Sequence, residues 1–127
     1  MMTRVLLCDD EPHILKAAQF KLQKLGFAVA LASDGEEAWE ILQQEVPEIL
    51  VTDFQMPRLD GISLSRRIYQ EPELRDLPVI LLTAKGLELS QDECLENTGI
   101  FTILTKPFSP KKLGETICER LGLQVPS

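Results

Sequence analysis

Residues 49–61 read Ile49-Leu50-Val51-Thr52-Asp53-Phe54-Gln55-Met56-Pro57-Arg58-Leu59-Asp60-Gly61. The opening residues are almost continuously apolar and show no polar face. That is the pattern of a parallel strand covered on both sides. A carboxylate, Asp53, closes the run. Beyond Asp60, Leu64 and Ile68 lie one helical turn apart and Pro72 marks the stop, so a helix follows the strand.

The same alternation extends in both directions. Further short apolar runs occupy residues 5–8, 27–32, 79–82 and 101–105. Between them lie helix-period stretches with their own punctuation. In the first, Leu15, Ala18, Leu22 and Leu25 share a face, Pro12 suits the first turn and Gly26 ends it. The second starts at Asp34-Gly35-Glu36-Glu37, where Asp34 and Glu37 have the spacing of a capping box. The last starts at Ser109-Pro110, aligns Leu113, Ile117 and Leu121, and ends at Gly122. A fourth helical segment, roughly residues 87–97, has the weakest apolar stripe.

This order of strands and helices implies an α/β fold. With right-handed crossovers it becomes a doubly wound five-stranded parallel sheet, order 2-1-3-4-5, helices on both faces, flavodoxin-like in type. Strands 2 and 5 are then the edges. Their runs are the less apolar ones, Ala28-Val29-Ala30 and Thr102-Ile103-Leu104-Thr105, as edges allow. The binding crevice of such a sheet lies past the carboxyl ends of the strands, where the winding reverses between strands 1 and 3.

The residues at those carboxyl ends carry the chemistry. Strand 1 leads into Asp9-Asp10, strand 3 into Asp53, strand 4 into Thr83-Ala84 and strand 5 into Lys106-Pro107. Gathered carboxylates repel unless a cation joins them. Carboxylate oxygens alone, with no His or Cys in the set, favour a hard ion, and Mg²⁺ is the natural choice. A carboxylate can attack a phosphoryl donor to give an acyl phosphate. Lys106 and the metal would neutralise the transferring group, Thr83 could bond one of its oxygens, and Ala84 leaves it space. Each residue alone has a plainer reading. Asp9 or Asp10 could cap the following helix, Asp53 could cap a loop, Thr83 could be structural, and Lys106-Pro107 is a turn compatible with a cis peptide. Four separate strand ends supplying the right residue types is the stronger observation.

The segments Leu7-Cys8-Asp9-Asp10-Glu11-Pro12, Asp53-Phe54-Gln55-Met56-Pro57-Arg58-Leu59-Asp60-Gly61, Leu82-Thr83-Ala84 and Thr105-Lys106-Pro107-Phe108 together resemble the receiver domain of bacterial two-component response regulators. The resemblance covers essentially the whole chain. It implies a receiver domain over residues 1–123, with residues 124–127 a tail or the start of a linker. It implies that Asp53 accepts phosphate from a sensor histidine kinase or histidine phosphotransfer protein. Asp9, Asp10, Asp53 and the main-chain carbonyl of Gln55 would bind Mg²⁺, and Thr83 and Lys106 would grip the phosphoryl group. The partners beyond the kinase are a downstream protein or a fused output domain. A homodimer through the fourth helical segment, the fifth strand and the last helix is a further candidate.

Three departures from the family pattern matter. Ile103 stands where an aromatic residue is frequent, so a Tyr-like swing toward Thr83 is unavailable. Phe101, two residues away, is expected to share the sheet face of Ile103. Gln55 and Lys85 occupy positions that tune phosphoryl lifetime in the family. Cys8 replaces the usual aliphatic residue and reads as neutral packing.

Composition bounds the alternatives. The chain has 127 residues, enough for one domain with a real core. A net charge of −7 with no basic patch argues against direct nucleic-acid binding. No apolar run approaches a membrane span and no signal-peptide pattern opens the chain, so the expected location is the cytoplasm. Cys8, Cys94 and Cys118 form no metal or disulfide spacing and read as reduced, apolar thiols. His13 follows Pro12 in the first helical turn and reads as a solvated histidine. Trp39 reads as half-buried core on the second helix. An aspartyl-phosphate phosphatase is the enzyme alternative, but Gln55, two positions after Asp53, cannot serve as its general acid. A phosphorylation-independent pseudo-receiver is the other alternative, and the full acidic set argues against it.

Overall fold

The computed structural model describes residues 2–84 and 96–124. Five strands are present: β1 (Arg4–Cys8), β2 (Ala28–Ala32), β3 (Ile49–Asp53), β4 (Val79–Thr83) and β5 (Ile100–Thr105). The described helices are α1 (Pro12–Lys24), α2 (Gly35–Gln44), α3 (Gly61–Gln70) and α4 (Pro110–Leu121). The strands form one parallel sheet in the order β2-β1-β3-β4-β5. This is the order expected from the apolar patterning. All residues of β3 and β4 are buried, whereas β2 and β5 are mostly half-buried, as edges must be.

Alternate residues of each central strand feed two cores. Leu6, Leu50, Val79 and Leu81 pack with Leu42, Leu64 and Ile68 of α2 and α3. Val5, Leu7, Ile49, Val51, Ile80 and Leu82 pack with Leu15, Ala18 and Leu22 of α1 and Leu113 and Ile117 of α4. Trp39 is half-buried against the first of these cores, with the Arg67 guanidinium 5.2 Å from its ring. Cys8 and Cys118 are buried free thiols, and burial pushes the Cys8 thiol up to about 12, so it packs as an apolar group.

The helix ends follow their local chemistry. Gly26, at φ 98°, closes α1: its amide donates to the Gln23 carbonyl and that of Phe27 to Leu22. Asp34 Oδ1 accepts the Glu37 amide at 2.8 Å, the first half of the expected capping box. The second half differs, because the Glu37 side chain accepts from the Ser33 amide at 2.6 Å, one residue before the cap. Asp60 and Ser109 cap α3 and α4. Of the fourth helical segment read from the sequence, only Glu96 and Asn97 fall within the described residues, and they form a turn. Cys94, Lys85 and residues 125–127 lie outside the described residues.

One expectation is overturned in β5. Val79 pairs with Ile100 and Ile80 with Thr102, so Phe101 is an extra residue, a β-bulge. The bulge breaks the two-residue alternation. Ile100 and Ile103 pack against the α2–α3 core, while Phe101 and Leu104 pack against the α1–α4 core. Phe101 therefore lies on the opposite sheet face from Ile103. Its ring is covered by the Arg120 guanidinium at 5.0 Å.

Candidate functional site

The reversal point of the sheet lies between β1 and β3, and their carboxyl ends open into a cleft of about 290 Å³. Asp10, Glu11, Asp53, Gln55, Ala84 and Lys106 line it. Asp9 and Asp53 are buried, Asp10 and Gln55 are exposed at the cleft, and Thr83 is buried at the end of β4. The carbonyl of Thr83 accepts the Lys106 amide at 2.7 Å, which ties the end of β4 to the start of the β5–α4 turn. That turn contains a cis peptide between Lys106 and Pro107.

Lys106 knits the carboxylates together. Its Nζ lies 2.8 Å from Asp9 Oδ2, 2.8 Å from Glu11 Oε1 and 3.2 Å from Asp53 Oδ2. Burial opposes its charge, but the bonds to Asp9 and Glu11 and the fields of Asp9 and Asp53 outweigh that cost and raise its pKa. For Asp53 the balance runs the other way. Burial, and then the charge of Asp9, push its carboxyl up to about 6 against the pull of Lys106. The bond to Lys106 holds the Glu11 carboxyl below its ordinary value.

Asp9, Asp10, Glu11 and Asp53 each offer an oxygen within 4.8 Å of the others. An all-oxygen, all-anionic set of this kind suits a hard cation and no soft one. The plain reading of Asp9 or Asp10 as a helix cap does not hold, because Glu11 occupies the cap position of α1. Asp9 Oδ1 instead accepts the Glu11 amide at 3.0 Å.

The loop after Asp53 is pinned on both sides. The Phe54 amide donates to the Leu82 carbonyl and the Gly61 amide to the Phe54 carbonyl, both at 2.8 Å. A side chain on Gly61 would start 2.2 Å from the Asp53 carbonyl oxygen, so only glycine allows α3 to begin this close to β3. Arg58 adds an ion pair to Asp34 at 3.3 Å and stands at φ 71°.

The six residues expected from the sequence thus sit at one end of the sheet. Asp9, Asp53 and Lys106 are in direct contact, and Asp10 and Gln55 stand at the rim. Sequence reasoning missed Glu11 as a partner of Lys106. The acidic triplet Asp9-Asp10-Glu11 was a signal of its presence but not of its direction. His13 is exposed, with Nε2 3.8 Å from Glu11 Oε2.

Comparison with known proteins agrees with this architecture. The family described as response regulator receiver domain matches residues 5–118. The probable transcriptional regulator ycf27 of Guillardia theta is 40% identical over 110 residues, which cover 87% of this chain and 42% of that protein. The alkaline phosphatase synthesis transcriptional regulatory protein PhoP of Bacillus subtilis is 35% identical over 130 residues, covering 100% of this chain and 53% of PhoP. The chain spans about half the length of these relatives. Among solved structures, the receiver domain of sensor histidine kinase PA1611 from Pseudomonas aeruginosa superimposes with a TM-score of 0.85 at 30% identity, covering 96% of this chain and 99% of that one. It is described with a magnesium ion coordinated in its active-site cleft. The chemotaxis response regulator CheY4 of Vibrio cholerae gives a TM-score of 0.84 at 25% identity, covering 94% and 98%. Matched over nearly all of its folded length in sequence, and sharing its architecture with solved receivers, this chain belongs to the response regulator receiver domain family.

Proposed function

We propose that Asp53 is the phosphoacceptor of a phosphorylation-dependent switch, with the donor a phosphohistidine on a sensor histidine kinase or histidine phosphotransfer protein. The observation that carries this reading is a buried carboxylate that opens to a solvent cleft with the Lys106 ammonium 3.2 Å away. An Asp53 oxygen attacks phosphorus, the new O–P bond forms as the P–N bond to imidazole breaks, and the imidazole leaves with the electron pair. Lys106 offsets charge on the phosphoryl oxygens, and the Thr83 hydroxyl donates to one of them. Asp9, Asp10, Asp53 and the Gln55 carbonyl are the groups that would hold Mg²⁺. When bound there it supplies the positive charge that in-line phosphoryl transfer needs. The only chemistry expected of the domain is its own phosphorylation and dephosphorylation.

The test is incubation with acetyl phosphate and Mg²⁺ followed by intact mass. One added phosphoryl group is expected, and none in Asp53→Asn. An unmodified wild type at all early time points would favour a pseudo-receiver, the alternative that Ile103 keeps alive. Sustained hydrolysis of a generic phosphate ester would instead favour an enzyme. A further expectation concerns Lys106→Ala. It should keep its affinity for Mg²⁺ but lose the shift of the Ile103 and Thr105 amide resonances on phosphorylation. A retained shift would remove Lys106 from the signalling path.

The reading places the domain in the cytoplasm, upstream of a protein partner or fused output domain. No described helix is long and apolar enough to cross a membrane. The relatives named as transcriptional regulators are about twice as long as this chain, and we assign any DNA contact to their remaining portion.

A further inference from the structure

A lysine ammonium has three protons. The Lys106 ammonium lies among three carboxylates, 2.8 Å from Asp9 and from Glu11 and 3.2 Å from Asp53, and its hydrogen bond runs to Glu11. A phosphoryl group on Asp53 takes over that carboxylate's place and brings several new oxygens to the same ammonium, so Asp9 and Glu11 compete with them for it. Asp9 cannot give way cheaply. It is buried, the Glu11 amide holds its other oxygen, and releasing it would strand a charge away from water. Glu11 can. Its side chain is 44% exposed against 12% for Lys106, so release returns the carboxylate to solvent.

The chain position of Glu11 is a second, independent observation. It occupies the cap position of α1, where a side chain ordinarily accepts first-turn amides. Glu11 makes no such bond. Its carboxylate reaches instead to a residue 95 positions away. Its second oxygen lies 3.8 Å from the exposed His13 ring, which offers a resting place after release.

We infer that Glu11 is a positioning residue for Lys106: it holds the ammonium at the cleft while Asp53 is unmodified and yields it to the phosphoryl oxygens when Asp53 is phosphorylated. The inference rests on Asp53 being the phosphoacceptor. Glu11 then competes with the phosphoryl group for one cation, and the strength of its grip sets how readily the phosphorylated arrangement forms.

Beryllofluoride, a mimic of the phosphoryl group, tests this at saturating Mg²⁺, with binding followed by amide resonances in wild type, Glu11→Gln and Glu11→Ala. Mg²⁺ alone is titrated in parallel. Both variants should bind beryllofluoride about five-fold more tightly, the scale of a half-exposed ion pair, with Mg²⁺ affinity changed by less than about three-fold. The Lys106 ammonium signal without beryllofluoride should exchange faster with water in both variants, a change that a purely structural role would not produce. Equal or weaker beryllofluoride binding in both variants would overturn the inference. So would a larger loss of Mg²⁺ affinity, since Glu11 would then serve the metal. A wild type that takes no beryllofluoride would overturn the phosphoacceptor reading itself, and this inference with it.

Discussion

Asp53→Asn is expected to stabilise the fold at pH 7.5 in metal-free buffer, although it removes the carboxylate proposed to accept phosphate. The Asp53 carboxyl is pushed up to about 6, from an ordinary value of 3.8, by burial and by the charge of Asp9. The folded state therefore binds a proton more tightly at this position than the unfolded chain does. Between about pH 4 and about pH 6 the folded state carries the extra proton, so this contribution to stability is full below pH 4 and falls as pH rises through 6. At about 1.4 kcal/mol per pKa unit the ceiling is roughly 3 kcal/mol, and solvent screening at the cleft brings the expected gain in the variant to about 1–2 kcal/mol. Urea denaturation of wild type and variant at pH 4 and pH 7.5, with a chelator present, measures it. The difference between the proteins should be small at pH 4 and favour Asn at pH 7.5. A variant less stable than wild type at pH 7.5 would mean that the bond to Lys106 outweighs burial and the repulsion from Asp9.

Gly61→Ala is expected to be the most damaging small substitution near the site. The added methyl would lie 2.2 Å from the Asp53 carbonyl oxygen and 3.1 Å from Leu81 Cδ1. The nearest obstacle is backbone held in the central strand of the sheet, not the end of a flexible side chain. The Gly61 amide is also committed to the Phe54 carbonyl. Relief requires α3 to move away from β3, which disturbs Asp53 and the packing of Leu64 and Ile68. Overpacking of this kind costs about 3 kcal/mol. The urea midpoint checks it, and the rate of phosphorylation by acetyl phosphate should fall in parallel. A loss below about 0.5 kcal/mol, within the range of ordinary surface changes, would show that the loop at 54–60 yields easily.

Most of the fold was legible because its signals are local. The apolar runs at 5–8, 49–52 and 79–82 announce covered strands, and Asp34, Asp60 and Ser109 announce helix starts within a few residues of where they act. The site was legible for a related reason. A doubly wound sheet must place the carboxyl ends of its strands together, so strand order alone gathers Asp9, Asp10, Asp53, Thr83 and Lys106. The Phe101 expectation failed because strand alternation is a counting rule, and one inserted residue reverses every side chain on one side of it. Nothing in Ile100-Phe101-Thr102 marks the insertion, which is visible only in the pairing of β5 with β4.

Asp9-Asp10-Glu11 shows the division most clearly. The sequence by itself determined that three carboxylates follow β1 and that a lysine follows β5, because residue type and strand order are local properties. Which carboxylate meets the lysine was decided by tertiary structure alone. Buried Asp9 and half-exposed Glu11 turn toward Lys106, and Asp10 turns to the rim of the cleft. That choice depends on how α1 leaves the sheet and on where the β5–α4 turn places an ammonium that avoids burial without partners. No spacing within the triplet encodes it.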